Sequence, residues 1–128
     1  MKTTSTPLFL IVDDEPDTCW ALQQILQKLG VCEIALNARD ALSRAAQHPF
    51  SLVLLDAKLP DVDGLDLAVQ FRAADPDVPI LLVSGYFCRD DADVLEARSA
   101  GLVQAFVGKP FLHEDILRAV RHILELPS

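Results

Sequence analysis

Five short apolar runs mark the chain, separated by polar or amphipathic stretches: Leu8 to Val12, Val31 to Leu36, Ser51 to Leu55, Ile80 to Val83 and Val103 to Val107. Each has the length of a strand, and the third lacks polar alternation, the pattern of a strand buried on both faces. The second is interrupted by Glu33, which marks an edge strand. Between the runs, apolar residues return at helical spacing. Leu22, Ile25, Leu26 and Leu29 form one stripe, Leu65, Leu67, Ala68 and Phe71 another, and Ile116, Leu117, Val120, Ile123 and Leu124 the most pronounced. Ala38 to Gln47 is a short Ala-rich helix, and Arg89 to Ala100 a weakly amphipathic one.

The punctuation agrees with this pattern. Pro16 suits a first helical turn, Asn37 a cap, and Gly30 and Gly101 helix ends. Gly64 opens a helix, while His48-Pro49 and the group Asp75, Pro76, Asp77 and Pro79 close others. Strand and helix alternate five times, which predicts an α/β fold with a parallel sheet covered on both faces. With 128 residues, 51% of them hydrophobic, a single domain over 1–128 with a core of about 8–126 is expected.

Composition narrows the partners. Nineteen acids against eleven Lys and Arg give a formal net charge of -8, which opposes nucleic-acid binding by the domain itself. An acidic surface suits a basic partner or a cation, although solubility alone accounts for many such surfaces. Cys19, Cys32 and Cys88 are odd in number and widely spaced, so free thiols in a reducing compartment are expected rather than disulfides or zinc. The start MKTTSTP lacks the apolar core of a signal peptide, and no run reaches membrane-spanning length. A cytoplasmic location without membrane contact is expected. No repeat, low-complexity segment or linker is visible.

In a parallel sheet every strand-to-helix turn lies on one edge, where open α/β sheets bind ligands. Asp13, Asp14, Asp56, Ser84 and Lys109 all fall on that edge. Singly, each has a structural reading: Asp14 or Ser84 as a helix N-cap, Lys109 as a solvated loop charge. Together they define chemistry. Three gathered carboxylates repel one another, and a divalent cation with oxygen ligands, Mg²⁺, removes that penalty. Lys109 adds a second positive charge and Ser84 a donor. The set describes a site for a tetrahedral dianion on Asp56, formed by attack of its carboxylate on phosphorus.

On these residues the chain resembles the receiver domain of bacterial two-component response regulators. The resemblance rests on Asp13-Asp14-Glu15, LLDAKLPDVDG around Asp56, Ser84-Gly85 and GKPF from Gly108 to Phe111, and covers Leu8 to about Leu126. It implies a flavodoxin-like (βα)5 sandwich of three layers with strand order 2-1-3-4-5. It also implies Asp56 as phosphoacceptor, with Mg²⁺ held by Asp13, Asp14, Asp56 and the backbone carbonyl of Lys58. Ser84 and Lys109 would bind phosphoryl oxygens, Ser84 and Phe106 would form the conformational switch, and the Lys109-Pro110 bond would be cis. Lys58 and Tyr86 occupy positions that tune phosphate lifetime in the family. The stretch Tyr86-Phe87-Cys88-Arg89-Asp90-Asp91 departs from the commoner pattern and reads as a partner surface or a variable loop.

The implied function is to take phosphate from a sensor histidine kinase or a histidine phosphotransfer protein and to regulate a partner or output domain. Such a domain is not an enzyme by class; it assists only its own phosphorylation and dephosphorylation. Alternatives are a stand-alone phosphorelay shuttle and a degenerate receiver that binds without phosphorylation. A homodimer through the fourth helix, fifth strand and fifth helix is a family habit. A haloacid-dehalogenase-type phosphotransferase needs a second acid two residues after its nucleophile, where this chain has Lys58. No GxGxxG follows the first strand and no GxxxxGK[ST] occurs, which excludes the common nucleotide-binding motifs. No output domain is visible past the last helix, and the expectation is either a stand-alone protein or a receiver cut from a longer regulator whose linker began near Pro127.

Overall fold

Five strands form one parallel sheet in the order β2-β1-β3-β4-β5. The structure, a computed structural model, describes residues 6–85 and 91–126. In chain order the elements are β1 Leu8–Val12, α1 Pro16–Leu26, β2 Val31–Ala35, α2 Ala38–Gln47, β3 Leu52–Leu55, α3 Gly64–Ala74, β4 Ile80–Ser84, α4 Ala92–Ser99, β5 Ala105–Gly108 and α5 His113–Leu124. The strand order agrees with the sequence expectation. Tyr86, Phe87, Cys88, the expected helix start at Arg89, and Pro127 lie outside the described residues.

Side chains alternate across the sheet and build two cores. Phe9, Ile11, Leu52, Leu54, Leu81 and Val83 meet Cys19, Leu22, Ile25 and Leu26 of α1 and Ile116 and Val120 of α5. Leu10, Val12, Val53, Leu55 and Ile80 meet α2 and α3, with Leu67, Ala68 and Phe71 the apolar face of α3. A smaller cluster of Ala57, Leu82, Val94 and Phe106 seats α4. Three layers result, helices on both faces of the sheet. The all-apolar runs of β1, β3 and β4 occupy its middle, and the acid-bearing run lies at an edge. There, Arg44 on α2 reaches Glu33 at 3.1 Å and His48 lies 3.7 Å from it, so the strand acid is charge-paired and not stranded.

Several boundaries differ from the sequence pattern for local reasons. Ser51 precedes β3; its hydroxyl accepts a bond from the Leu8 amide at 3.0 Å. Leu29 lies beyond α1, although it still packs on the core. Val103 is not yet strand, because its amide turns back to the Ala97 carbonyl. Ser84 belongs to β4 itself, paired with Gly108. Gly101 closes the α4 segment with φ +74, as a helix-ending glycine does. Gly30 has another cause: a Cβ there would lie 2.2 Å from the Pro7 carbonyl oxygen. Among the described residues, no helix is long and apolar enough to cross a membrane.

Candidate functional site

The strand order reverses between β1 and β3, because β1 leads outward to β2 and the chain then returns on the far side of β1. Ligands bind in the crevice that such a reversal opens at the carboxyl ends of the strands. Val12 and Leu55 are in register across it, so Asp13 and Asp56 emerge side by side. The backbone holds both: the Asp56 amide donates to the Val12 carbonyl at 2.9 Å, and the Asp13 amide to Ala35 at 3.1 Å. Both side chains are buried, as is Ser84. Asp14 is exposed at the rim.

Carboxylate oxygens of Asp13, Asp14 and Asp56 all lie within 4.8 Å of one another. The Lys109 ammonium enters from the end of β5 and donates to Asp13 Oδ2 at 2.7 Å and to Asp56 Oδ1 at 3.4 Å. The Lys109 amide bonds the Ser84 carbonyl at 3.1 Å, which ties the fifth turn to the fourth. The Lys109-Pro110 bond is cis, as expected. The turns after β1, β3 and β5 therefore meet at one point, and the end of β4 is tied to them through backbone.

Structural readings of the individual residues fail here. The N-cap of α1 is Glu15, not Asp14, and Ser84 ends eight residues before α4 begins at Ala92. Lys109 is no solvated charge; its side chain is 18% exposed and faces acids.

Electrostatics follow from crowding. Burial raises the Asp56 carboxyl above its ordinary pKa and Asp13 raises it further, with Lys109 only partly offsetting them. Burial alone would lower the pKa of Lys109, but its bond and attraction to Asp13, then Asp56, hold it above the usual lysine value. Three carboxylates against one ammonium leave the centre negative. An all-oxygen donor set with one member at the surface suits a hard divalent cation. Below it, the Cys19 thiol donates to the Asp13 carbonyl at 3.3 Å. Burial and the nearby Asp13 push that thiol up to about 11, so it serves as a small packing group.

Three contributions were not legible from residue patterns. Glu15 Oε1 lies 3.7 Å from the Lys109 ammonium, a third acid on the same lysine. Gly64 is required by close approach: a Cβ there would fall 2.1 Å from the Asp56 carbonyl oxygen. Asp61, in the loop that follows Asp56, caps α2 with both carboxylate oxygens. Lys58 is exposed and forms an isolated bridge with Asp63. Phe106 is buried against Ala57, the neighbour of Asp56.

The fold and this acidic centre are those of a phosphorylation-controlled signalling domain. Residues 9–121 match the response regulator receiver domain, and the chain belongs to that family. It is 36% identical over 117 residues to the response regulator protein PilR of Pseudomonas aeruginosa, covering 88% of this chain and 26% of that one. Its fold matches a CheY-like receiver domain protein from Methanospirillum hungatei with a TM-score of 0.86 at 28% identity, covering 94% and 95% of the two chains. TrrA of Thermotoga maritima, solved in complex with Mg²⁺-BeF, matches with a TM-score of 0.79 at 27% identity, covering 92% and 99%. The chain spans about half or less of the length of the curated relatives it matches, 28% of the transcriptional regulatory protein ZraR of Salmonella typhimurium and 51% of PrrA of Mycobacterium leprae among them.

Proposed function

We propose that Asp56 is the phosphoacceptor and that Asp13, Asp14, Asp56 and the Lys58 backbone carbonyl hold Mg²⁺. The observation that carries this reading is the convergence of three carboxylates within 4.8 Å on a single ammonium, at the reversal of strand order. A carboxylate oxygen of Asp56 attacks the phosphorus of a phosphohistidine on a sensor kinase or phosphotransfer protein. The new O–P bond forms as the P–N bond breaks, and the imidazole departs with its electron pair and takes up a proton. Mg²⁺ supplies charge neutralisation for the phosphoryl oxygens during this in-line transfer. Lys109 pairs with one of those oxygens and the Ser84 hydroxyl donates to another.

Ser84 and Phe106 form the switch: phosphorylation biases the packing of the aromatic ring behind the hydroxyl. Because residue 106 is Phe, burying its ring strands no hydroxyl. Lys58, two residues beyond the acceptor, partly shields the phosphorus from water and lengthens the lifetime of the phosphoryl group. The domain, with its core over about 8–126, acts in the cytoplasm, assists only its own phosphoryl gain and loss, and regulates a partner or an attached output domain. Homodimerisation through α4, β5 and α5 is the proposed mode of assembly.

A radiolabelled small phosphodonor with Mg²⁺ tests the assignment directly. The parent is expected to take up one acid-stable, base-labile label and Asp56→Asn none. Equal labelling of the two would overturn the assignment.

A further inference from the structure

The loop from Lys58 to Asp63 leaves β3 immediately after the acceptor and returns to open α3. Its neck is closed by backbone: the Gly64 amide donates to the Ala57 carbonyl at 2.7 Å, and Lys58 pairs with Asp63 in an isolated antiparallel bridge. Leu59 and Val62, half-buried, pack on the core and set how deeply the loop sits. The tip is held differently. Asp61 is exposed, yet both of its carboxylate oxygens are engaged by another element. Oδ1 accepts from the Ala38 amide at 2.9 Å and Oδ2 from the Arg39 amide at 3.0 Å.

These are the first two amides of α2, which lack partners inside the helix. The third, on Asp40, is taken by Asn37 Oδ1 at 2.8 Å. The local side chain thus satisfies one amide, and a carboxylate more than twenty residues downstream satisfies two, at the end of the helix where a negative charge is favoured. A helix cap supplied from so far along the chain is also a tether for the loop that supplies it.

We infer that Asp61 is a positioning residue for the divalent-cation site, fixing through α2 the loop that carries the Lys58 carbonyl. The inference rests on the proposed roles of Asp56 and Lys58. A side-chain ligand can adjust by changing rotamer. A backbone carbonyl cannot, and its place is set by the path of the loop alone. Mg²⁺ demands near-ideal octahedral geometry at short distances, so a loosened path costs affinity. Groups behind the ligands of a metal typically control affinity by 10–100-fold, and the lower end, about tenfold, is expected for one carbonyl among several ligands.

Calorimetric titration of Mg²⁺ into metal-free protein separates this role from helix stability. The parent, Asp61→Ala, Asp61→Asn and Asn37→Ala are compared, with thermal midpoints recorded for each. Both alanine variants uncap α2 and lower the midpoint, but only Asp61→Ala binds Mg²⁺ about tenfold more weakly. Asp61→Asn, which keeps one acceptor oxygen, falls between, and carries the comparison if Asp61→Ala does not fold. Parent affinity in the Asp61 variants, or equal weakening in Asn37→Ala, would overturn the inference and leave the phosphoacceptor assignment standing. A parent without Mg²⁺ binding would remove the metal site and the positioning role with it.

Discussion

Asp56 shows how one side chain carries the tension of the site. It is buried beside a second buried acid, Asp13, and both face a single ammonium. Its raised pKa means that the folded chain holds the proton more tightly than the unfolded chain does. Ionising it therefore disfavours folding, and this cost grows as pH rises through the raised folded value. Below the ordinary carboxylate range Asp56 is protonated in both states, and the cost is absent. Without divalent cations, Asp56→Asn is expected to stabilise the domain by on the order of 1 kcal/mol at neutral pH. The gain should vanish below about pH 3. Urea unfolding at the two pH values measures it, and an equal gain at both would exclude charge as the cause.

At the scale of elements, two glycines separate the demands of the fold from those of the site. A Cβ on Gly64 would drive the start of α3 into the Asp56 carbonyl oxygen at 2.1 Å, and one on Gly30 would meet the Pro7 carbonyl at 2.2 Å. Either contact forces backbone to move, at a cost of about 1–3 kcal/mol. Gly64→Ala and Gly30→Ala should lose similar stability in thermal unfolding. Only Gly64→Ala, which displaces the acceptor's own peptide, should slow labelling by a phosphodonor. Element identity was legible because apolar runs and helical stripes are local signals, and Asp13, Asp56, Ser84 and Lys109 sit where those runs stop. What stayed hidden depends on contacts distant in sequence. Asp61 bonds α2, and Arg72, in the last turn of α3, donates to the carbonyls of Pro76 and Val78 and, across thirty positions, of Leu102. No periodicity announces a partner so far away. Boundaries moved where a single amide chose a tertiary carbonyl, as at Val103.

For the whole molecule, the sheet divides the labour between its two edges. The amino-terminal edge is closed by capping bonds such as that donated by the Ile80 amide to Gln104 Oε1 at 2.6 Å, while the carboxyl-terminal edge gathers acids. A domain of formal charge -8 that concentrates carboxylates at one point should be stabilised by Mg²⁺ out of proportion to ionic strength. At a hundredfold excess over its dissociation constant the ion adds about 2.7 kcal/mol. The thermal midpoint of the parent should rise accordingly, and that of Asp14→Asn much less; an equal rise with the same ionic strength of NaCl would mean screening only. One contact already described shapes how such an ion arrives. Lys109 leans on Asp13 at 2.7 Å more closely than on Asp56 at 3.4 Å. The ammonium thus already neutralises the acid that the proposed cation site would draw on. On that reading a bound cation would take over part of this neutralisation, and the ammonium would become free to turn from Asp13 to a phosphoryl oxygen.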